Sequence, residues 1–158
     1  MKINLNVKIP IEIQENGKTK EKLEVFYRDY TKDEKKEFEK IVNRFRALFK
    51  KALKIEQKEK ILSKKIELSE KSEDYKQSLK YLKEQEKLQG ELNALAEEIE
   101  GLGGDAFEEK MSKKRFDTLL SGKDKEKLRE YTEAKGYEFV MNAIDAQRTE
   151  IEKKHLGE

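Results

Sequence analysis

Residues 2–31 read KINLNVKIPIEIQENGKTKEKLEVFYRDYT, and they alternate apolar and polar side chains on both sides of a central glycine. In the first run every second residue from 3 to 13 is apolar, and in the second run Leu23, Val25 and Tyr27 have the same spacing. Successive side chains point to opposite faces of a β-strand, so each run has one apolar and one polar face. The stretch therefore predicts an antiparallel β-hairpin.

Two loops are compatible with this pattern. A two-residue loop of Asn16 and Gly17 is a strong hairpin signal, but on its own it would place Ile9 opposite Glu24 and bring apolar and polar faces together. A three-residue loop, Glu15–Gly17, keeps the apolar faces aligned and puts a glycine where a left-handed backbone is needed. We predict the three-residue loop, with these pairs: Ile9 with Leu23, Val7 with Val25, and Leu5 with Tyr27.

Pro10 bears on the position of the first strand in its sheet. Proline has no N–H to donate to a neighbouring strand, which predicts an edge strand or a bulge at this residue. A hairpin alone is marginal in water, so its apolar face needs a cover, and we expect residues 38–53 of the following helix to provide it. The free edge is also a template to which another chain can add a strand.

A long helix is predicted after the hairpin. Thr31 and Glu34 have the spacing of a capping box, in which the hydroxyl and the carboxylate bond the backbone at the helix start. Apolar residues then recur at steps of three and four, as in an amphipathic helix. These residues are Phe38, Ile41, Val42, Phe45, Leu48, Phe49, Ala52, Leu53 and Ile55, followed by Ile61, Leu62, Ile66 and Leu68.

A second apolar seam has the spacing of coiled-coil core positions. Its residues are Tyr81, Gln85, Leu88, Leu92, Leu95, Ile99 and Leu102. Continuing the first seam past Ser69 places charged residues at core positions, which favours a break at residues 69–74, with Ser69 or Ser72 capping the next helix. The seven-residue spacing of Ile61, Leu68, Tyr75 and Leu82 favours one unbroken helix instead. We expect an antiparallel pair of helices, with the unbroken helix as the alternative.

Glycines divide the rest of the chain. GLGGD, residues 101–105, ends the seam, and Asp105 is a candidate cap for a helix that follows; further short helices end before Gly122 and Gly136. The sequence thus predicts an α+β, mainly α fold, with a β-hairpin packed on a long helix, a coiled-coil-like helical hairpin and a small C-terminal helical bundle. The expected segments are 1–55, 56–101 and 105–158.

Composition narrows the classes of function. Charged residues make up 44% of the 158 residues, yet 36 basic and 34 acidic side chains leave a net charge of only +2. Because the two signs interleave along the chain, the sequence disfavours a nucleic-acid partner. The absence of cysteine is compatible with a cytoplasmic protein. No apolar run approaches the length of a membrane span, so we expect no membrane partner.

No constellation of catalytic residues emerges from the sequence. His155 is the only histidine and lies near the end of the chain, where a metal site or a histidine-based triad is not expected. GLGG lacks the following lysine and the flanking strand of a phosphate-binding loop. We therefore expect no enzyme activity, no cofactor and no metal.

The order of the elements resembles a known family. The N-terminal NVKIPIEI and LEVFYRDYTKDEKKEFEKIV, and the C-terminal KRFDTLLSGKDKEKLREYTEAKGYEFVMNAI, are similar to the two ends of tail assembly chaperones of long-tailed phages and prophages. The resemblance covers about half of the chain. It implies a non-catalytic protein that binds tape-measure or tail-tube protein during tail assembly.

If this resemblance holds, Phe116, Leu119 and Leu120 are candidates for contact with the client protein. The alternative is that all three pack inside the C-terminal helices. Two other functions remain open from the sequence. One is a coiled-coil adaptor that self-associates through its helices, and the other is a nucleic-acid-associated factor.

Overall fold

The computed structural model describes residues 6–156 of the chain, and it has the mainly helical α+β fold that the sequence predicts. Two compact units divide the chain. The first combines the described parts of Met1–Lys35 and Ala106–Glu158, and the second is Lys36–Asp105. This division differs from the three consecutive segments expected, because the first unit is made from both ends of the chain.

The N-terminal hairpin consists of strand β1, Asn6–Glu15, and strand β2, Lys18–Arg28, paired antiparallel. The strands are connected by the two-residue turn Asn16-Gly17, whose φ angles are 52° and 76°. Both residues thus have the left-handed backbone that such tight hairpin turns require. The predicted three-residue loop is therefore wrong.

A β-bulge reconciles the short turn with the aligned apolar faces. Gln14 is opposite Thr19, but Ile13 is opposite Glu21, so Lys20 has no partner on β1. The extra residue shifts the register by one and restores the parity that the two-residue turn would have broken. The predicted pairs are wrong by two residues, since the observed pairs are Ile11 with Leu23, Ile9 with Val25, and Val7 with Tyr27. The predicted pair of Leu5 with Tyr27 involves a residue outside the described range.

Pro10 lies on an edge strand, as predicted, because β1 pairs with β2 alone among the described strands. Its partner across the ladder is Glu24, whose N–H donates to the Asp124 carboxylate at 2.9 Å. The carbonyl of Pro10 accepts from the Gln147 side chain at 2.5 Å. The missing proline N–H therefore costs no ladder hydrogen bond, and Gln147 occupies part of the free edge.

The C-terminal part of the chain covers the hairpin. It contains helix α3, Phe107–Leu119, the short strand β3, Leu120–Ser121, helix α4, Lys125–Lys135, and helix α5, Tyr137–His155. Strand β3 pairs antiparallel with β2 and extends the sheet to three strands. The buried side chains of this core are Val7, Ile9, Leu23, Val25, Tyr27, Phe116, Leu119, Leu120, Leu128, Tyr137, Met141 and Ile144. The expectation that residues 38–53 provide this core is corrected, because the covering side chains come from β3 and α3–α5.

Local chemistry defines the ends of these helices. Gly103 and Gly104 have positive φ angles of 127° and 54°, which produces the turn before α3. Asp105 does not cap α3, which starts without a side-chain cap. The start of α5 is capped from another helix, because the Glu109 carboxylate accepts from the N–H groups of Tyr137 and Glu138.

Helix α1, Lys32–Lys71, begins at the predicted capping box. The Thr31 hydroxyl accepts from the Glu34 N–H at 3.2 Å, and the Glu34 carboxylate accepts from the Thr31 N–H at 2.9 Å. Arg28 donates to both oxygens of that carboxylate, at 2.7 and 3.0 Å. The hydrogen bonds from Arg28 are the largest cause that lowers the pKa of Glu34 to about 2.

The chain reverses at residues 72–74, so the predicted pair of helices is confirmed and the unbroken helix is excluded. Helix α2, Tyr75–Gly101, follows Glu73, which has a left-handed φ of 59°. The cap of α2 is the Asp74 carboxylate, which accepts from the Gln77 N–H, rather than Ser69 or Ser72.

Candidate protein-interaction surface

The second unit is a helical hairpin with one internal seam. On α1 the residues facing the seam are spaced alternately by three and four, and all of them are buried or half-buried. They are Phe38, Ile41, Phe45, Leu48, Ala52, Ile55, Glu59, Leu62, Ile66 and Ser69. This is the repeat of a coiled coil, in which core positions recur every 3.5 residues on average.

Helix α2 contributes the matching half of the seam. The residues predicted from its sequence, Tyr81 to Leu102 at the same spacing, are half-buried, and Ser78 extends the series to the turn. The hydroxyls of Ser69 and Ser78 are 2.6 Å apart, and the Gln85 amide donates to the Ser63 hydroxyl at 3.1 Å. These contacts join residues before and after the turn in reverse order, so the two helices are antiparallel.

Charged residues flank the seam on one side of the hairpin. Two open grooves on this side are lined by lysines of α1 and glutamates of α2, with Lys51 and Glu98 at one end and Lys65 and Glu84 at the other. Lys58 and Glu91 line both grooves. Opposite charges at flanking positions favour the pairing of these two helices with each other.

The outer surface of the hairpin exposes large apolar side chains. Ten large apolar side chains are exposed in the described range, and seven of them lie on α1 and α2. They are Phe49, Leu53, Ile61, Leu68, Tyr75, Leu79 and Leu82, with exposed fractions from 43% to 66%. Since the internal seam is already occupied, these side chains are available to another molecule, and exposed apolar groups mark a protein-binding surface where several of them lie close together.

Four of these side chains lie within about two helical turns of the chain reversal. Leu68 precedes the reversal on α1, and Tyr75, Leu79 and Leu82 follow it on α2; we call these four the tip residues. Leu82 also lines an open groove of about 1130 Å³ between the helices, together with Ser63, Gln85, Gln89, Gly90 and Asn93. Charged residues also line this groove, among them Glu56, Lys60 and Glu86, whereas the four tip residues form the part of the hairpin richest in exposed apolar side chains.

Phe116, Leu119 and Leu120, the residues predicted to contact a client, lie in the core of the first unit. Their exposed fractions are 0%, 3% and 2%, and the Phe116 ring packs edge-on against Tyr137 at 5.2 Å between centroids. They pack inside the C-terminal helices, as the alternative interpretation states. The sequence does not reveal the tip residues, because Leu68 fits the apolar spacing of the helix seam, and Tyr75 and Leu82 fit the seven-residue spacing of a continuous helix.

A polar cluster in the first unit connects the sheet with α3 and α5. The Tyr27 hydroxyl donates to Asp145 at 2.6 Å and accepts from Arg115 at 2.7 Å, while Arg115 also donates to both Asp145 oxygens at 2.8 Å. The Arg148 guanidinium stacks over the Tyr27 ring at 4.6 Å. Burial, and then the hydrogen bond to Asp145, raise the pKa of Tyr27 to about 12. The groups of this cluster satisfy one another, so its arrangement is that of a structural link.

Residues 6–156 contain neither a cluster suited to a metal ion nor a helix suited to a membrane. Within that range no group of three or more His, Cys, Asp or Glu side chains is arranged to hold a metal ion. Nor does any helix in the described chain have the length and apolarity needed to span a bilayer.

Comparison with known proteins identifies no similar protein. No protein-family model matches the chain, and neither a curated protein nor a solved structure has significant similarity to it. An assignment of function therefore depends on the geometry of the chain itself.

Proposed function

We propose that this protein is a non-catalytic assembly chaperone that binds apolar segments of partner proteins on its helical hairpin. The observation that carries the proposal is the set of seven exposed apolar side chains on α1 and α2. Because the two helices already fill their common seam, binding a partner does not require the hairpin to unfold. Contact through exposed leucines and one tyrosine at the tip is suited to reversible masking of an apolar surface.

The client class comes from the resemblance to tail assembly chaperones of long-tailed phages. By that resemblance the clients are the tape-measure protein, the tail-tube protein or both, held before the tube polymerises. The order of the N-terminal strands and the C-terminal helices supports this proposal.

Co-purification from the native host, or from co-expression with neighbouring genes, tests the proposal. We expect tagged wild-type protein to retain tape-measure or tail-tube protein, identified by mass spectrometry. The double variant Leu68→Gln, Leu79→Gln should lose most of this retention, because both side chains are more than 60% exposed and contribute little to the fold.

The matched control is Phe139→Gln, Leu156→Gln, which removes two exposed apolar side chains of the first unit. It should retain the client as the wild type does, and circular dichroism should show equal helicity in all three proteins. Loss of client in both double variants, or in neither, would contradict a binding site at the tip. Recovery of the protein alone, with light scattering showing a defined oligomer that the tip variant disrupts, would favour the coiled-coil adaptor instead.

A further inference from the structure

The outward face of α1 is strongly basic along most of its length. Between residues 40 and 65, twelve positions lie on one side of α1 by the coiled-coil repeat: eight point outward and four flank the seam. Of the twelve, eight are Lys or Arg and none is acidic: Lys40, Arg44, Lys50, Lys51, Lys54, Lys58, Lys64 and Lys65. The remaining four are Asn43, Ala47, Gln57 and Ile61. We call this surface the basic face.

Charge counts over longer segments hide this face. Between residues 40 and 65 ten residues are basic, and Glu56 and Glu59 are the two acidic ones. Neither acidic residue belongs to the face, because Glu59 is a seam position and Glu56 lies beside the seam on the opposite flank. A count that also includes the residues of the helical hairpin before 40 and after 65 adds more acidic than basic side chains and brings the net charge near zero.

The lysines of the basic face differ in their position relative to the seam. Lys51, Lys58 and Lys65 lie beside the seam and line the grooves that also contain glutamates of α2. Lys40, Lys50, Lys54 and Lys64 lie at outward positions of the coiled-coil repeat and are exposed, although Lys54 and Lys64 also reach the rims of grooves that contain glutamates. We call these four the outward charges of the basic face.

We infer that the basic face binds duplex nucleic acid through its phosphate backbone, without reading the base sequence. The face spans about 37 Å along the helix at 1.5 Å per residue and occupies an arc of about 100°. Lysine presents a point charge that suits phosphate, whereas bidentate base contacts are made mainly by arginine, asparagine and glutamine. A stripe of positive side chains, most of them lysines, therefore matches the sequence-independent, electrostatic term of duplex binding.

The composition of the face distinguishes a duplex from other polyanions. It contains no aromatic side chain on which the bases of a single strand could stack. A helix that binds a membrane surface buries an apolar face in the lipid, but the apolar seam of α1 is occupied by α2. The exposed apolar residues of the basic face itself are limited to Ala47 and Ile61.

Fluorescence anisotropy with a random-sequence DNA duplex of about 20 base pairs tests the inference, since 37 Å corresponds to about 11 base pairs at 3.4 Å each. We expect wild-type affinity to fall with a log–log salt slope of about −4, as four released counterions require. The variant Lys40→Gln, Lys50→Gln, Lys54→Gln, Lys64→Gln should bind the duplex at least about tenfold more weakly at low salt. Its log–log salt slope should be close to zero, because the four lysines that release counterions are gone.

The control variant removes the same number of charges elsewhere. Lys22, Lys110, Lys114 and Lys154 are exposed, lie in the first unit and form no recorded ion pair in the described chain. Their replacement by glutamine gives the same net charge, so it should leave affinity within about twofold of the wild type. Equal helicity and melting temperature in both variants will show that any loss is not caused by unfolding.

Three outcomes would overturn the inference. The first is no binding of the duplex at low salt, and the second is equal loss in both variants, which would indicate attraction by net charge alone. The third is binding to vesicles containing anionic lipid without binding to the duplex, which would assign the basic face to a membrane surface. Because these measurements need no client protein, they are independent of the proposed chaperone function.

Discussion

The Glu34 carboxylate joins the start of α1 to the end of β2. It accepts from the Thr31 backbone and from both guanidinium nitrogens of Arg28, and the pKa of Glu34 is lowered from 4.5 to about 2. A carboxyl group whose pKa is lowered by folding stabilises the folded state most at a pH where it is ionised in both the folded and the unfolded protein. This contribution is complete above about pH 4.5 and is lost as the pH falls towards 2.

The variant Glu34→Gln should therefore differ from the wild type in a pH-dependent way. Glutamine keeps the spacing of the capping box but removes the charge that pairs with Arg28. We expect a lower melting temperature than wild type at neutral pH, with the difference shrinking below about pH 4.5 and vanishing near pH 2. Melting curves followed by circular dichroism across this range measure it, and a constant difference would exclude the Arg28 pair as its origin.

Tyr27 contributes both packing and a hydrogen-bond partner to the first unit. Replacing it with phenylalanine keeps the buried ring but removes the hydroxyl that bonds Asp145 and Arg115. We expect Tyr27→Phe to lower the free energy of unfolding by about 1–2 kcal/mol, because a half-buried charged pair loses a partner. Urea denaturation measures the change.

Tyr131 offers a matched control for that substitution. Its hydroxyl donates to Glu21 at 2.8 Å, but Tyr131 is half-buried whereas Tyr27 is buried, so water can more readily replace the lost bond. Tyr131→Phe should therefore cost less than about 1 kcal/mol. An equal loss of unfolding free energy in both variants would show that the bonds of Tyr27 to Asp145 and Arg115 stabilise the fold no more than the single bond of Tyr131.

At the scale of elements, local signals were reliable where neighbouring residues define the structure. The capping box at Thr31, the seam of α2 and the end of α4 at Gly136 are as predicted. The predicted length of the hairpin loop was wrong because the alignment of the apolar faces depends on the strands as well as on the loop. A bulge at Lys20 supplies the missing residue, and nothing in the local sequence distinguishes it from ordinary strand.

Two glycines should respond oppositely to replacement by alanine. Gly17 has a φ of 76°, so Gly17→Ala should lower the stability of the first unit by about 1–2 kcal/mol. Gly90 is inside α2 with no atom within 4 Å of an added Cβ, so Gly90→Ala should raise the stability of the second unit by about 1 kcal/mol. Thermal unfolding of both variants measures the shifts, and a shift of the same sign would contradict these backbone assignments.

At the scale of the whole molecule, the first unit is assembled from the two ends of the chain, with the helical hairpin inserted between them. Its core combines the hairpin strands with Phe116, Leu119 and Leu120 of the C-terminal part. The sequence left open whether these three residues contact a client protein or pack inside the C-terminal helices. It did not identify the sheet as the surface they pack against, because their contacts join residues about a hundred positions apart.

Leu120→Asp tests the role of this core. Leu120 is 2% exposed on the short strand that pairs with β2, so a carboxylate there should cost more than about 3 kcal/mol or unfold the first unit. The control Leu156→Asp changes a side chain that is 78% exposed and should alter stability little. Melting curves separate the two, and an unchanged melting temperature with loss of client binding would instead make Leu120 a contact residue.

The sequence by itself determined the elements of this protein: a hairpin with one apolar face, two long helices with a heptad seam, and short helices separated by glycines. These follow from periodicity and from capping residues, which act over a few positions. Only the tertiary structure decided which helices cover the hairpin, where the bulge lies, and which side chains remain exposed. Those properties depend on contacts between residues far apart in the chain, since a helix can present the same seam to any partner of matching shape. The basic face of α1 shows the same division, because its lysines are visible in the sequence but their common side appears only once the seam is known to face α2.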